Sequence, residues 1–128
     1  MLVENGKSVI PEDYRNNSIG STKNTQRSAI AQLGELEYLL VVCYSDQLTS
    51  PQQDTGLTIQ QFAALCEQLG KELSENGCML AYNMDGGSSA ALVFKRRDPA
   101  DGKLKYAKIN EDQSRHIADI LYFATLVK

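Results

Sequence analysis

The sequence is short of the residues on which several kinds of function depend. It holds one histidine, His116, and three cysteines, Cys43, Cys66 and Cys78, among 128 residues. None of these lies at the Cys/His spacing of a structural zinc site, and a cysteine nucleophile would have only His116 to activate it. Each cysteine sits in an apolar segment, which reads as three free core thiols. A Cys66–Cys78 bridge is the alternative, since a helix carrying the first leads into a strand carrying the second. Positive charge is also scarce: 13 Lys and Arg against 16 Asp and Glu leave a net charge of -3. Such a chain has no basic field to draw a nucleic-acid backbone, and Arg96-Arg97 is too short a cluster to act as a footprint, so nucleic acid is not expected as a partner. No apolar run is long enough to cross a bilayer, so no membrane span is expected. The first twenty residues include Glu4, Lys7, Glu12, Asp13 and Arg15 and no apolar run, so no signal peptide is expected within them, and a leader on a longer N-terminus stays open.

What is present describes one globular core. Hydrophobic residues make up 42% of the chain and charged residues 23%, and a chain of this length buries about two-thirds of its unfolded surface without needing a disulfide or a metal. Residues 1–23, with Pro11, Asn16-Asn17 and Gly20, read as an irregular arm with a short strand at Leu2-Val3, and residues 24–128 read as the body. Ser28 to Leu33 and Tyr38 to Tyr44 form an antiparallel hairpin around Gly34-Glu35-Leu36-Glu37. A polar loop from Ser45 to Gly56 is long enough to cover a site. Thr58 then caps a helix, with Gln61 as its capping-box partner and Leu57 and Phe62 as a hydrophobic staple. Ile59, Phe62, Ala63, Cys66, Leu69 and Leu73 make the apolar face, and Asn76-Gly77 is the expected stop.

Cys78 to Tyr82 and Ala90 to Phe94 follow as strands. Asp98 to Gly102 is a turn into an alternating strand, Leu104 to Ile109. Ile117 to Val127 reads as a strand in the middle of the sheet, with a helix as the competing reading. The expected fold is α+β, a mixed or antiparallel sheet of about five to seven strands under one main helix at about 58–76, with the C-terminal strand central. Tyr82, Tyr106 and Phe123 read as core or cross-strand packing, and His116 as a half-exposed strand residue.

The stretch that suggests chemistry is Asn83-Met84-Asp85-Gly86-Gly87-Ser88-Ser89, between two apolar runs. An acid, two glycines and two hydroxyls after a buried strand let the backbone approach a ligand, and phosphate suits such a loop. Read from these residues alone, Asp85 with Gly86-Gly87 fits a tight turn equally well. Likewise, Arg27 and Arg115 read alone as surface residues paired with Glu35, Glu111 or Asp112.

Three motifs in order change that balance. Asn24-Thr25-Gln26-Arg27-Ser28-Ala29-Ile30, then Gly56-Leu57-Thr58-Ile59 with the Asn83–Ser89 loop, then Arg115-His116-Ile117-Ala118-Asp119-Ile120-Leu121 resemble the C-terminal part of the phosphodiester glycosidase domain. That family includes the uncovering enzyme and bacterial proteins labelled exopolysaccharide biosynthesis. The resemblance spans residues 24–127. It departs at Ser88, where the family commonly has a glycine, and at Asp46, at best a shifted counterpart of the family's Asp-Gly-Arg. The family's Asn-Gly-Gly-Phe-Phe type motif has no counterpart here.

The resemblance implies hydrolysis of a sugar phosphodiester of the N-acetylglucosamine-1-phosphodiester type, in glycan or exopolysaccharide metabolism, in an extracellular or cell-envelope setting. It implies Asp85 as the catalytic residue, acting as general acid or base or holding a divalent cation, the one cofactor in view. Arg27 and Arg115 would bind phosphate, the Gly86, Gly87 and Ser88 amides would donate to it, Ser88 and Ser89 would orient substrate, and Asn83 would brace the loop. The alternative is a truncated, non-catalytic remnant that binds glycan or serves structure. Exposed sheet edges in such a domain would favour a homodimer.

Overall fold

The computed structural model describes residues 1–44, 56–109 and 120–124, with the backbone alone at Ser88. Its architecture is α+β: a five-stranded antiparallel sheet in the order β2-β1-β5-β3-β4, a separate two-stranded ribbon β6-β7, and one long helix. The strands are β1 Val3–Glu4, β2 Lys7–Ser8, β3 Arg27–Gly34, β4 Glu37–Cys43, β5 Leu80–Asn83, β6 Leu92–Arg97 and β7 Leu104–Ile109, and the helix is α1 Ile59–Leu73.

The N-terminal segment is part of this sheet. β1 and β2 form a hairpin closed by Asn5 and Gly6 at φ +52° and +79°, the two left-handed positions that the tightest hairpin turns require. β1 also pairs with β5, Val3 opposite Ala81, which buries Leu2 and Val3 completely. In the β3-β4 hairpin the turn is Glu35-Leu36, and a register irregularity between Gln32 and Gly34 accommodates it.

α1 begins as its sequence indicates. The Thr58 hydroxyl accepts from Gln61 N–H at 3.2 Å and the Gln61 side chain accepts from Thr58 N–H at 2.9 Å. It ends at Leu73, earlier than Asn76-Gly77. Ser74 turns extended, and its hydroxyl donates to the Leu33 carbonyl of β3, tying the helix end to the sheet. Ile59, Phe62, Ala63 and Cys66 pack on Ala29, Ala31, Leu33, Val41 and Ala81, one face of the sheet. Helix and chain approach so closely at Gly70 that a Cβ there would lie 2.3 Å from Cys78 N and 2.6 Å from its Cα.

None of the three cysteines is in a disulfide, and Cys66 and Cys78 are buried. Burial, reinforced by Cys78, pushes the Cys66 thiol up to about 12, and burial followed by the charge of Glu67 raises Cys78.

The C-terminal run is corrected in part. Its residues 120–124 belong to no strand and are largely exposed; the place at the middle of the sheet is taken by β5, whose two edges are paired with β1 and β3. Phe123 instead lies against Tyr38, ring centroids 5.5 Å apart, on the sheet face away from α1. Tyr82 and Tyr106 are exposed, so neither belongs to the core. The long loop at 45–55, Asp46, His116, and the parts of the C-terminal run at 117–119 and 125–127 lie outside the described residues.

Candidate active site

The Asn83–Ser89 loop leaves the end of β5 and is held against the start of β3. Met84 N–H donates to the Ser28 carbonyl at 2.8 Å, Ser28 Oγ donates to the Asp85 carbonyl at 2.6 Å, and Gly87 N–H donates to the Gln26 carbonyl at 2.8 Å. Gly87–Ser89 then forms one turn of 3-10 helix that leads toward β6. The loop is thus a fixed structure, clamped at three points to Gln26 and Ser28.

The Asp85 side chain is exposed, and its Oδ1 accepts from the Gly86 amide at 2.8 Å. Asn83 Nδ2 donates to the Met84 carbonyl at 2.7 Å, bracing the loop, while Asn83 Oδ1 is buried without a hydrogen-bond partner. A buried acceptor left without a donor costs free energy, about 1–3 kcal/mol. The donors of the loop are more committed than an anion-binding nest requires. Gly86 N–H serves Asp85, Gly87 N–H serves Gln26, and Ser89 N–H serves the Gly86 carbonyl.

Asp85, Ser28 and Ser89 stand at one side of a cavity of about 580 Å³ on the sheet face away from α1, with Ile30, Leu40 and Leu92 among its apolar walls. The strand alternation explains which β3 side chains reach it. Ser28 and Ile30 point to this face, while Arg27, Ala29 and Ala31 point to the helix side.

Arg27 therefore does not join Asp85. It is 2% exposed, so it is no surface residue. Its Nε donates to the Leu57 carbonyl at 2.6 Å and its Nη2 to the Gly20 and Lys23 carbonyls, both at 3.0 Å. These contacts fasten the residues that enter β3 to the residue preceding the helix cap. Burial lowers the pKa of the guanidinium from the ordinary arginine value, partly offset by Cys43, which raises it. Arg115 and the Ser88 side chain lie outside the described residues. The clamp formed by Arg27 was missed in the sequence; the signal available was that Arg27 shares the strand parity of the core alanines Ala29 and Ala31.

Among the described residues no group of three His, Cys, Asp or Glu side chains could hold a metal ion. Among the described residues Asp85 therefore belongs to no three-ligand set for a cation. No helix among the described residues is long and apolar enough to cross a membrane.

No curated protein and no solved structure matches the chain. The family model described as phosphodiester glycosidase matches residues 1–124, nearly the full length, including the β1-β2 hairpin as well as the Asp85 loop. The chain belongs to the phosphodiester glycosidase family.

Proposed function

We propose that this chain hydrolyses a sugar phosphodiester of the N-acetylglucosamine-1-phosphodiester type, in glycan or exopolysaccharide metabolism, with Asp85 as the catalytic residue. The family match supports the reaction class. The observation that carries the site is the fixed loop that holds the exposed Asp85 at the cavity rim beside Ser28 and Ser89. Water adds across the bond between the anomeric carbon and the phosphate oxygen, giving the free sugar and a phosphate monoester. A phosphate leaves readily, so the larger demand is on the water, and Asp85 takes its proton as general base. Ser28 and Ser89 hydrogen-bond sugar hydroxyls at the rim, Asn83 holds the loop, and Arg115 is the cation assigned to the phosphate oxygens. Arg27 acts as a positioning residue for the loop's neighbours Gln26 and Ser28.

The test is turnover of an N-acetylglucosamine phosphodiester by the parent chain and by Asp85→Asn, with and without divalent metal. Asp85→Asn should lose about 10²–10⁴-fold in kcat. No turnover by the parent chain under any condition would overturn the enzymatic reading, and equal turnover by the variant would overturn the role of Asp85.

One observation favours a second reading, a non-catalytic glycan-binding domain: the Gly86 and Gly87 amides and the Nε and Nη2 donors of Arg27 already serve protein acceptors. Calorimetric binding of the same phosphodiester without turnover would select it.

A further inference from the structure

The β6-β7 ribbon carries a charge opposite to that of the rest of the molecule. Six of the 13 Lys and Arg fall between Leu92 and Ile109, with only two of the 16 acids, so the ribbon bears +4 on a chain of net charge -3. Both of those acids, Asp98 and Asp101, are engaged by Lys105 at 2.7 and 3.0 Å. In the sequence Arg96-Arg97 looks isolated; strand pairing sets it beside Lys105 and Leu104.

The register sorts the ribbon into two faces. Residues directly opposite in an antiparallel pair share a face. One face holds Leu92 with Ile109, Phe94 with Ala107 and Arg96 with Lys105; there Leu92, Ala107 and Ile109 are half-buried and Lys105 is tied to Asp98 and Asp101. The other holds Val93 with Lys108, Lys95 with Tyr106 and Arg97 with Leu104. Each of these three pairs joins one cation to one apolar or aromatic side chain, and all six residues are exposed. Leu104 is 64% exposed and Tyr106 73%, with Lys95 Nζ 5.2 Å from the Tyr106 ring centroid.

We propose that this outer face of β6-β7 docks on an anionic lipid surface. The cations complement the negative potential of such a surface, while Val93, Leu104 and Tyr106 reach the headgroup layer, where an aromatic ring with a polar tip is favoured. A nucleic acid or an acidic glycan would match the charge alone. Three exposed apolar side chains interleaved with the cations gain from transfer out of water only where the partner offers an apolar layer. Val93 also borders the Asp85 cavity, whereas Lys95, Arg97, Leu104 and Tyr106 do not line it, so a test on those four residues does not depend on hydrolysis.

The experiment is co-sedimentation of the full chain with vesicles of phosphatidylglycerol and phosphatidylcholine, and with vesicles of phosphatidylcholine alone. The chain should partition onto the anionic vesicles only. A basic side chain near an anionic surface multiplies partitioning by about fivefold, so Lys95→Gln with Arg97→Gln should lower it about 25-fold. A second variant, Leu104→Ser with Tyr106→Ser, should also weaken binding and make the remainder more sensitive to salt. These positions are exposed, and circular dichroism verifies that α1 and the sheet persist. Failure to bind anionic vesicles, equal binding by either variant, or equal binding to phosphatidylcholine overturns the proposal. So does retention on an acidic polysaccharide or on DNA with no vesicle binding.

Discussion

Arg27 and Gly70 show how two single residues hold the site's foundations. Arg27 satisfies the carbonyls of Gly20, Lys23 and Leu57 with one guanidinium. Arg27→Met keeps the apolar stem but removes all three of these hydrogen bonds, leaving Leu57 and Gly20 only their backbone donors Thr25 N–H and Lys23 N–H, and should lower stability by about 3 kcal/mol in urea denaturation. Gly70→Ala sets a Cβ against the backbone of Cys78, where no flexible side chain can yield, and should cost about 2–3 kcal/mol in the same measurement. Neither role was readable from residue type. An arginine beside a phosphate-friendly motif suggests a ligand, and only the choice of which sheet face carries α1 decides that Arg27 points away from the cavity. Asp85 was readable, because an acid followed by two glycines after an apolar strand is both a turn and an exposed carboxyl whatever surrounds it.

At the scale of elements, α1 is anchored by local chemistry at its start and by tertiary contacts along its length. Thr58→Ala removes the cap and should cost about 1 kcal/mol, read as a drop in Tm. In the middle of the helix, Glu67 accepts from Ser8 N–H of β2 and from Lys71, and the Lys71 bond, then the Ser8 bond, holds its carboxyl below the ordinary value of 4.5. A depressed folded pKa makes this stabilisation complete above about 4.5 and lost as pH falls through the folded value. Glu67→Gln should therefore unfold at lower urea than the parent at neutral pH, by about 1 kcal/mol, and the gap should close on acidification below the ordinary carboxylate range. The capping box and both long hairpins were legible because each is written within a few adjacent residues. The β1-β2 hairpin was not read, although Asn5-Gly6 marked it, because two-residue strands are too short to show a period. The early end of α1 depends on Ser74 meeting Leu33, forty-one residues away, and no local pattern records that.

At the scale of the molecule, one core lies between α1 and a single face of the sheet, and the thiols report on it. Cys66 and Cys78 are buried and their thiols are raised in pKa, whereas Cys43 is only half-buried. A thiol-labelling reagent should modify Cys43 first, and Cys66 and Cys78 only at the rate of global opening, as followed by mass spectrometry across a urea series. The sheet order has a further consequence for how the chain is made. β5 lies between β1 and β3, yet the 45 residues 35–79 separate the end of β3 from the start of β5. At roughly 5–20 residues per second, a growing chain carries β1 and β3 for about 2–9 s before their common neighbour has been synthesised. During that interval the edges of β1 and β3 that β5 will pair are unfilled, and the nascent chain depends on its surroundings to keep those edges from pairing elsewhere.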